Sequence, residues 1–275
     1  MSSQPSEESR SVALYWDFEN LHAGLYEERE PGSYGRENRF KLQDPLVDVQ
    51  AVVEVAASFG PVAINRAYCN WQFFGRYREA LLQNAVELVQ LFPPGGAAKN
   101  GADIRLCLDA MEDVARFPHI GTVVIVGGDS DFMPVSHKIK AAGRTLVGVG
   151  TRKATNRHWA KSCDEFRYYE SLIEPVSTET VTAAPTAEGA PPPAEALAPV
   201  VNVPADLLRR AIRLLSEKKG DAWVNKAEVL PMIKRLDPTF NLKEHEYTSL
   251  SAMVKALDAV VETRAGPNDQ QLRLR

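Results

Sequence analysis

The sequence predicts an α/β domain, with a parallel sheet flanked by helices, followed by a smaller domain of three helices and a β-hairpin. Three observations carry this. Short apolar runs that end in Gly or acid (VALYWD, VVIVGGD, TLVGVG) alternate with longer stretches of helical periodicity. That alternation is the pattern of a parallel sheet whose crossovers are helices. An Ala/Pro-rich stretch at 175–202 then divides the chain; it holds no aromatic residue, Lys or Arg, cannot bury a core, and reads as an extended linker.

Taken in order, residues 1–10 (MSSQPSEESR) read as a disordered arm. SVALYWDFEN opens the first domain, 11–174, as a buried strand ending in polar residues. Residues 22–43, rich in Gly, Glu and Arg, read as an inserted loop. DPLVDVQAVVEVAASFG predicts a helix with Asp44 as N-cap, Pro45 in its first turn and Gly60 at its stop. PVAINRAYCNW predicts the second strand. GRYREALLQNAVELVQLF predicts a helix with Ala80, Leu81, Ala85, Leu88 and Val89 on one side. ADIRLCLDAMEDVAR predicts a third helix, GTVVIVGG a third strand, MPVSHKIKAAG a fourth helix and RTLVGVG a fourth strand. Beyond the linker, the second domain, 203–275, begins with an amphipathic helix that turns Leu207, Leu208, Ala211, Leu214 and Leu215 inward. WVNKAEVLPMIKRLDP and YTSLSAMVKALDA predict two further helices, and AVVETRAGPNDQQLRLR a hairpin, which together make a small winged-helix-like pattern.

The totals exclude several classes. The chain has 275 residues and a formal charge of −4, so nothing global advertises a polyanion partner. Residues 203–275 carry 13 Lys and Arg against 10 Asp and Glu, a surplus too small to identify nucleic-acid binding. The cysteines, Cys69, Cys107 and Cys163, are odd in number and lack CxxC spacing, so neither a zinc site nor a disulfide framework is readable. No stretch approaches the length of a membrane span and the beginning has no apolar leader, so a reduced, cytoplasmic protein without a membrane partner is expected.

The chemistry concentrates at strand ends. Open parallel sheets bind ligands outside the carboxyl ends of their strands. Two strands here end in acid, one in DFEN (Asp17, Asn20) and one in GGDSD (Asp129, Ser130, Asp131). If they are neighbours, their carboxylates converge, and Asp103, at a helix start after a Gly-rich turn, can face the same edge. Such a cluster is costly to bury without a cation. An all-oxygen donor set suits Mg²⁺ or Mn²⁺, which polarise phosphate oxygens and activate water for phosphodiester hydrolysis. The plainer reading of each acid is a helix cap or first-turn charge. What outweighs it is that two strand ends and one helix start are all acidic, with no competing histidine cluster. Asp109 lies six residues beyond Asp103, about 120° around the helix, and so off that face; it is kept as a satellite candidate of the site.

DFEN after an apolar strand, KNGADIRLCLDAM after a loop, VVIVGGDSDFMPVSHKIKAAGRTLVGVG and GTRKATNRHWAKSCDEFRYYE together resemble the NYN-domain branch of the PIN-like nucleases, over roughly residues 11–170. The resemblance implies a Rossmann-like PIN fold and an acidic metal site for RNA cleavage. It implies Asp17, Asp103, Asp129 and Asp131 as catalytic metal ligands or water-orienting acids. Asn20 and Ser130 would orient the carboxylates or contact phosphate. Residues 22–41 depart from a minimal member by their length and charge. The second domain resembles the LOTUS (OST-HTH) winged-helix module, which implies an RNA- or protein-binding role; HEYTSLSAMV departs from the Tyr-Gly pair common before its last helix.

Further substrate contacts are expected from Lys99, Arg152 and Lys153, with Trp71 and Arg76 as a stacking and phosphate pair; solvated charge or core packing is the plain alternative for each. The function expected is a metal-dependent endoribonuclease with a tethered RNA- or partner-binding module. A non-catalytic RNA-binding regulator on the same fold is the alternative. A phosphatase-type hydrolase is disfavoured, because DFEN places Glu, not Asp, two residues after its first acid.

Overall fold

The computed structural model describes residues 10–35, 38–92, 101–173, 203–237, 240–266 and 270–275. The chain divides into two compact units, one up to Glu174 and one from Pro175.

The first unit is built on strands β1 (Ser11–Asp17), β2 (Val62–Cys69), β3 (Glu87–Gln90), β4 (Ile120–Val126), β5 (Thr145–Gly150) and β6 (Glu165–Tyr168). They form one six-stranded sheet in the order β3-β2-β1-β4-β5-β6, parallel throughout. Helices α1 (Phe18–Arg29), α2 (Val49–Phe59), α3 (Arg78–Gln83), α4 (Gly101–Arg116), α5 (Met133–Ala141), α6 (Arg157–Ser162) and α7 (Tyr169–Ile173) complete it. From β1 the chain winds outward through β2 and β3, then returns to place β4 on the other side of β1. Their register pairs Trp16 with Val126, so Asp17 and Gly127 leave the sheet side by side. This reversal of winding is where open α/β sheets form their ligand crevice. Both central strands are apolar on both faces because both faces are covered: Val12 to Trp16 and Val123 to Val126 have no exposed surface.

Three sequence expectations need correction. The inserted loop begins as helix: α1 runs through Arg29, burying Phe18, Leu21, His22 and Leu25 while its Glu and Arg side faces out. His22 is fully buried. The Gln43 amide Nε2 donates to the carbonyls of Asn38 (2.7 Å) and Lys41 (2.6 Å), so its Oε1 must accept from His22 Nε2 at 3.0 Å. His22 Nδ1 then accepts from the Tyr77 hydroxyl at 2.9 Å, which itself accepts the amides of Leu46 (2.7 Å) and Val47 (3.0 Å). The loop is thus fastened to the domain through a neutral imidazole, and burial lowers the His22 pKa.

The next helix is capped by Asp48, not Asp44: Asp48 Oδ1 accepts from Ala51 N at 3.0 Å, while Asp44 pairs with Arg76. Tyr77 holds residues 46 and 47 in the extended lead-in, which delays the helix to Val49. The helix expected over 75–92 is instead the short α3 followed by edge strand β3. Ala85 takes a positive φ of 50°, and the Val86 amide returns to Leu81 O (3.0 Å), which breaks the helix. Strands β3 and β6 widen the expected four-stranded sheet at its two edges.

The second unit contains α8 (Val203–Lys219), α9 (Lys226–Leu236), α10 (Leu250–Ala256) and strands β7 (Val224–Asn225), β8 (Val261–Ala265) and β9 (Gln270–Leu274). Its sheet is antiparallel in the order β7-β9-β8. The inward residues expected on α8 are all buried; Leu208, Ala211, Val229, Ile233, Met253 and Leu272 form its driest part. The three helices and the hairpin stand where the sequence puts them, and β7 adds a third strand.

Candidate active site

Helix α1 follows β1 without a linker. Asp17 ends the strand and caps the helix, its Oδ1 accepting from Asn20 N at 3.2 Å. Asn20 reaches across to β4: its side-chain oxygen accepts the Gly128 amide at 2.8 Å. Asn20 therefore ties the two acid-bearing strand ends together. After β4, Asp129 caps a single 3₁₀ turn, accepting from Asp131 N at 3.2 Å, with the Ser130 hydroxyl 3.4 Å from the same oxygen.

The glycines before Asp129 are required by proximity. A Cβ on Gly127 would lie 2.7 Å from the Phe132 ring and 3.3 Å from the Asp17 Cβ. One on Gly128 would meet the backbone of Ala154 and Thr155. The turn is gripped from behind: Trp159 Nε1 donates to Gly127 O (2.9 Å), and Asn156 N donates to Gly128 O (2.7 Å). Trp159 is fully buried and lies against Phe132, with ring centroids 5.5 Å apart.

Helix α4 delivers Asp103. One carboxylate oxygen each from Asp103, Asp129 and Asp131 lie within 4.8 Å of one another. Asp17 joins through a hydrogen bond with Asp103. Asp103 is buried and Asp131 exposed, so the group is open on one side. Burial, then the charge of Asp103 and their shared hydrogen bond, push the Asp17 pKa well above the carboxylate range. Burial and the charges of Asp129 and Asp131 raise that of Asp103, against the hydrogen bond from Asp17. Among the described residues, Asp17, Asp103 and Asp129 form no ion pair with Lys or Arg. A set of hard oxygen donors such as this fits a divalent cation such as Mg²⁺ or Mn²⁺.

The other sequence candidates are engaged elsewhere. Asp109 accepts from the Tyr68 hydroxyl (2.8 Å) and pairs with Arg105 (2.9 Å), on the face turned away from Asp103. The Arg152 guanidinium lies 4.9 Å from the centroid of the Tyr168 ring and donates to Ser171 Oγ (2.7 Å). Lys153 Nζ reaches the Glu27 carbonyl at 3.3 Å. Trp71 rests on Phe18, centroids 5.0 Å apart, with its indole N–H donating to Val89 O (3.2 Å). Arg76 is paired with Asp44. Lys99 lies outside the described residues. The sequence reading missed the supports, Trp159, Asn156 and Phe132, whose only signal was their place in the segments GDSDF and TNRHW, quoted for the family resemblance.

Comparison with known proteins agrees with this architecture. The NYN domain model matches residues 11–172, and the OST-HTH/LOTUS domain model matches 202–273. An uncharacterized protein of Methanocaldococcus jannaschii is 31% identical over 104 residues, 38% of this chain and 40% of that protein. The match therefore spans about two fifths of that relative's length. A solved structure of a protein of unknown function from Vibrio parahaemolyticus is 21% identical, with a TM-score of 0.46, covering 60% of this chain and 96% of the other. On the domain match, which takes in the whole of the α/β unit and every acid of its site, the chain belongs to the NYN-domain family, with its PIN-like nuclease fold, and carries an OST-HTH/LOTUS module behind it.

Proposed function

We propose that the protein is a metal-dependent endoribonuclease that hydrolyses RNA phosphodiester bonds at the Asp17–Asp103–Asp129–Asp131 site, with its C-terminal module holding RNA or a protein partner. The observation that carries this reading is the meeting of three carboxylates within 4.8 Å, with buried Asp17 hydrogen-bonded to one of them. Repulsion of this kind is a standing cost to the fold, which a function at the site explains and a structural role does not.

Asp103 and Asp129, with Asp17 and Asp131, would hold Mg²⁺ or Mn²⁺. When bound, such an ion offsets charge on the scissile phosphate and lowers the pKa of water. The chain's own residues do the rest. Asn20 fixes the spacing between the β1 and β4 ends through Gly128. Trp159 and Asn156 hold the glycine turn so that Asp129 keeps its orientation. Asp131, the exposed acid, is suited to orient the attacking water or to accept its proton. Ser130 is placed to contact a phosphate oxygen beside it.

The test is cleavage of labelled single-stranded and hairpin RNAs in Mn²⁺, Mg²⁺ or EDTA, with Asp17→Asn and Asp129→Asn beside wild type. Cleavage that needs metal and falls at least about a hundredfold in both variants is the expected result. Cleavage unchanged in the variants, or none by wild type in either metal, refutes the reading.

A further inference from the structure

Beside the acids, α4 and α5 leave a groove of about 370 Å³. Asp103 and Asp131 close one end and Lys138 stands on its wall. Its lining is otherwise apolar, with Ile104, Cys107, Leu108 and Met111 following one another at helical spacing along α4, opposite Val135. Ile104 and Leu108 are 60% and 63% exposed, while the opposite side of the same helix buries Leu106, Ala110 and Val114. The domain core does not account for these two leucine-sized side chains, which sit next to charged groups.

We propose that this groove is a nucleobase subsite, which receives an unpaired base flanking the phosphate held at the acids; the proposal rests on the nuclease reading above. Three features favour a base over other occupants. The groove is continuous with the acid cluster, since Asp103 and Asp131 belong to both. Its volume falls in the range of small-ligand sites, and its walls are aliphatic and sulfur-bearing, suited to the flat face of an aromatic ring. Lys138, which forms no ion pair among the described residues, lines the same groove and is placed to meet the next phosphate along the strand. With apolar walls and few hydrogen-bonding groups, the subsite grips a base by its faces and reads little of its edge. It therefore selects unpaired strands over duplex without selecting a sequence.

The experiment is a binding cycle on the full chain in EDTA, where it holds or fails whether or not the protein cuts RNA. Fluorescence anisotropy compares a short single-stranded oligouridylate with an abasic ribose-phosphate strand of the same length. Wild type is expected to prefer the strand with bases, and Ile104→Gln/Leu108→Gln to reduce that preference roughly tenfold while binding the abasic strand as before. Both side chains are exposed, so the substitutions spare the core. Lys138→Gln is expected to weaken both strands alike and to lower the salt dependence by about one phosphate contact. An unchanged preference in the double variant, or equal weakening of both strands, overturns the subsite. So does a wild-type dimer that becomes monomeric in the double variant, which would assign the groove to a second copy of the chain. Intact binding preference without cleavage overturns the nuclease reading alone; a wild type that binds neither strand in EDTA overturns the subsite alone.

Discussion

Helix α4 buries two carboxylates in opposite circumstances. Asp113, near its end, is 6% exposed and satisfied: the Tyr15 hydroxyl donates to it at 2.8 Å and the Arg66 guanidinium at 2.5 Å. Asp103, in its first turn, is 8% exposed and faces other acids. The same residue type, on the same helix, is a stabilising element at one end and a strained one at the other. The difference separates buried charge that belongs to the fold from buried charge that belongs to a function.

Removing the satisfied acid should have the largest effect. Asp113→Ala leaves Arg66 and Tyr15 without their shared partner and is expected to cost about 3 kcal/mol in urea unfolding. RNA cleavage per folded molecule should survive; a stable Asp113→Ala would erase the contrast. The strained end should respond to cations. Mn²⁺ at roughly a hundredfold above its Kd is expected to stabilise the wild type by about 2.7 kcal/mol relative to EDTA, seen as a rise in melting temperature. The Asp113→Ala variant should show the same rise, and Asp129→Asn little or none.

A smaller effect of opposite sign should come from Asp17→Asn. It keeps an oxygen for the Asn20 amide and removes a buried acid from beside Asp103, so in EDTA it is expected to stabilise the protein by about 1 kcal/mol. Destabilisation in calorimetry would show that the Asp17–Asp103 pair is a structural asset.

The smallest effect sharpens the comparison with a buried base. His22 is satisfied as a neutral ring, and its pKa is lowered from the ordinary value of 6.5. The unfolded chain therefore binds the proton more readily, so stability is complete above about pH 6.5 and falls as pH drops below it. His22→Gln should flatten that slope between about pH 7 and 5, measured by urea midpoints. An equal slope in both proteins would place the titration elsewhere.

Much of this was legible in the sequence because the central strands speak for themselves. VALYW and VVIV are apolar on both faces and end abruptly in acid, which both predicts a parallel sheet and points to its working edge. The edges were less legible. Leu88 and Val89 continue the spacing of the preceding helix, and only the reversal at Ala85 turns them into β3. The helical start of residues 22–43 was hidden by its charged outer side, and His22 reveals nothing until Gln43 and Tyr77 close around it. The candidate acids were visible as types. That Asp17 touches Asp103, while Arg152 and Lys153 turn to Tyr168 and Glu27, depends on contacts between distant segments that no local pattern encodes.

The placement of β4 beside β1 also sets a time at which the site comes into being. The Asn20–Gly128 hydrogen bond spans 108 residues, and such long closures come late because their entropy is lost before their contacts form. During synthesis, Asp17 emerges long before the strand that brings Asp129 to it. A nascent or partly unfolded chain thus carries Asp17 and Asp103 but no assembled acid cluster until β4 is in place.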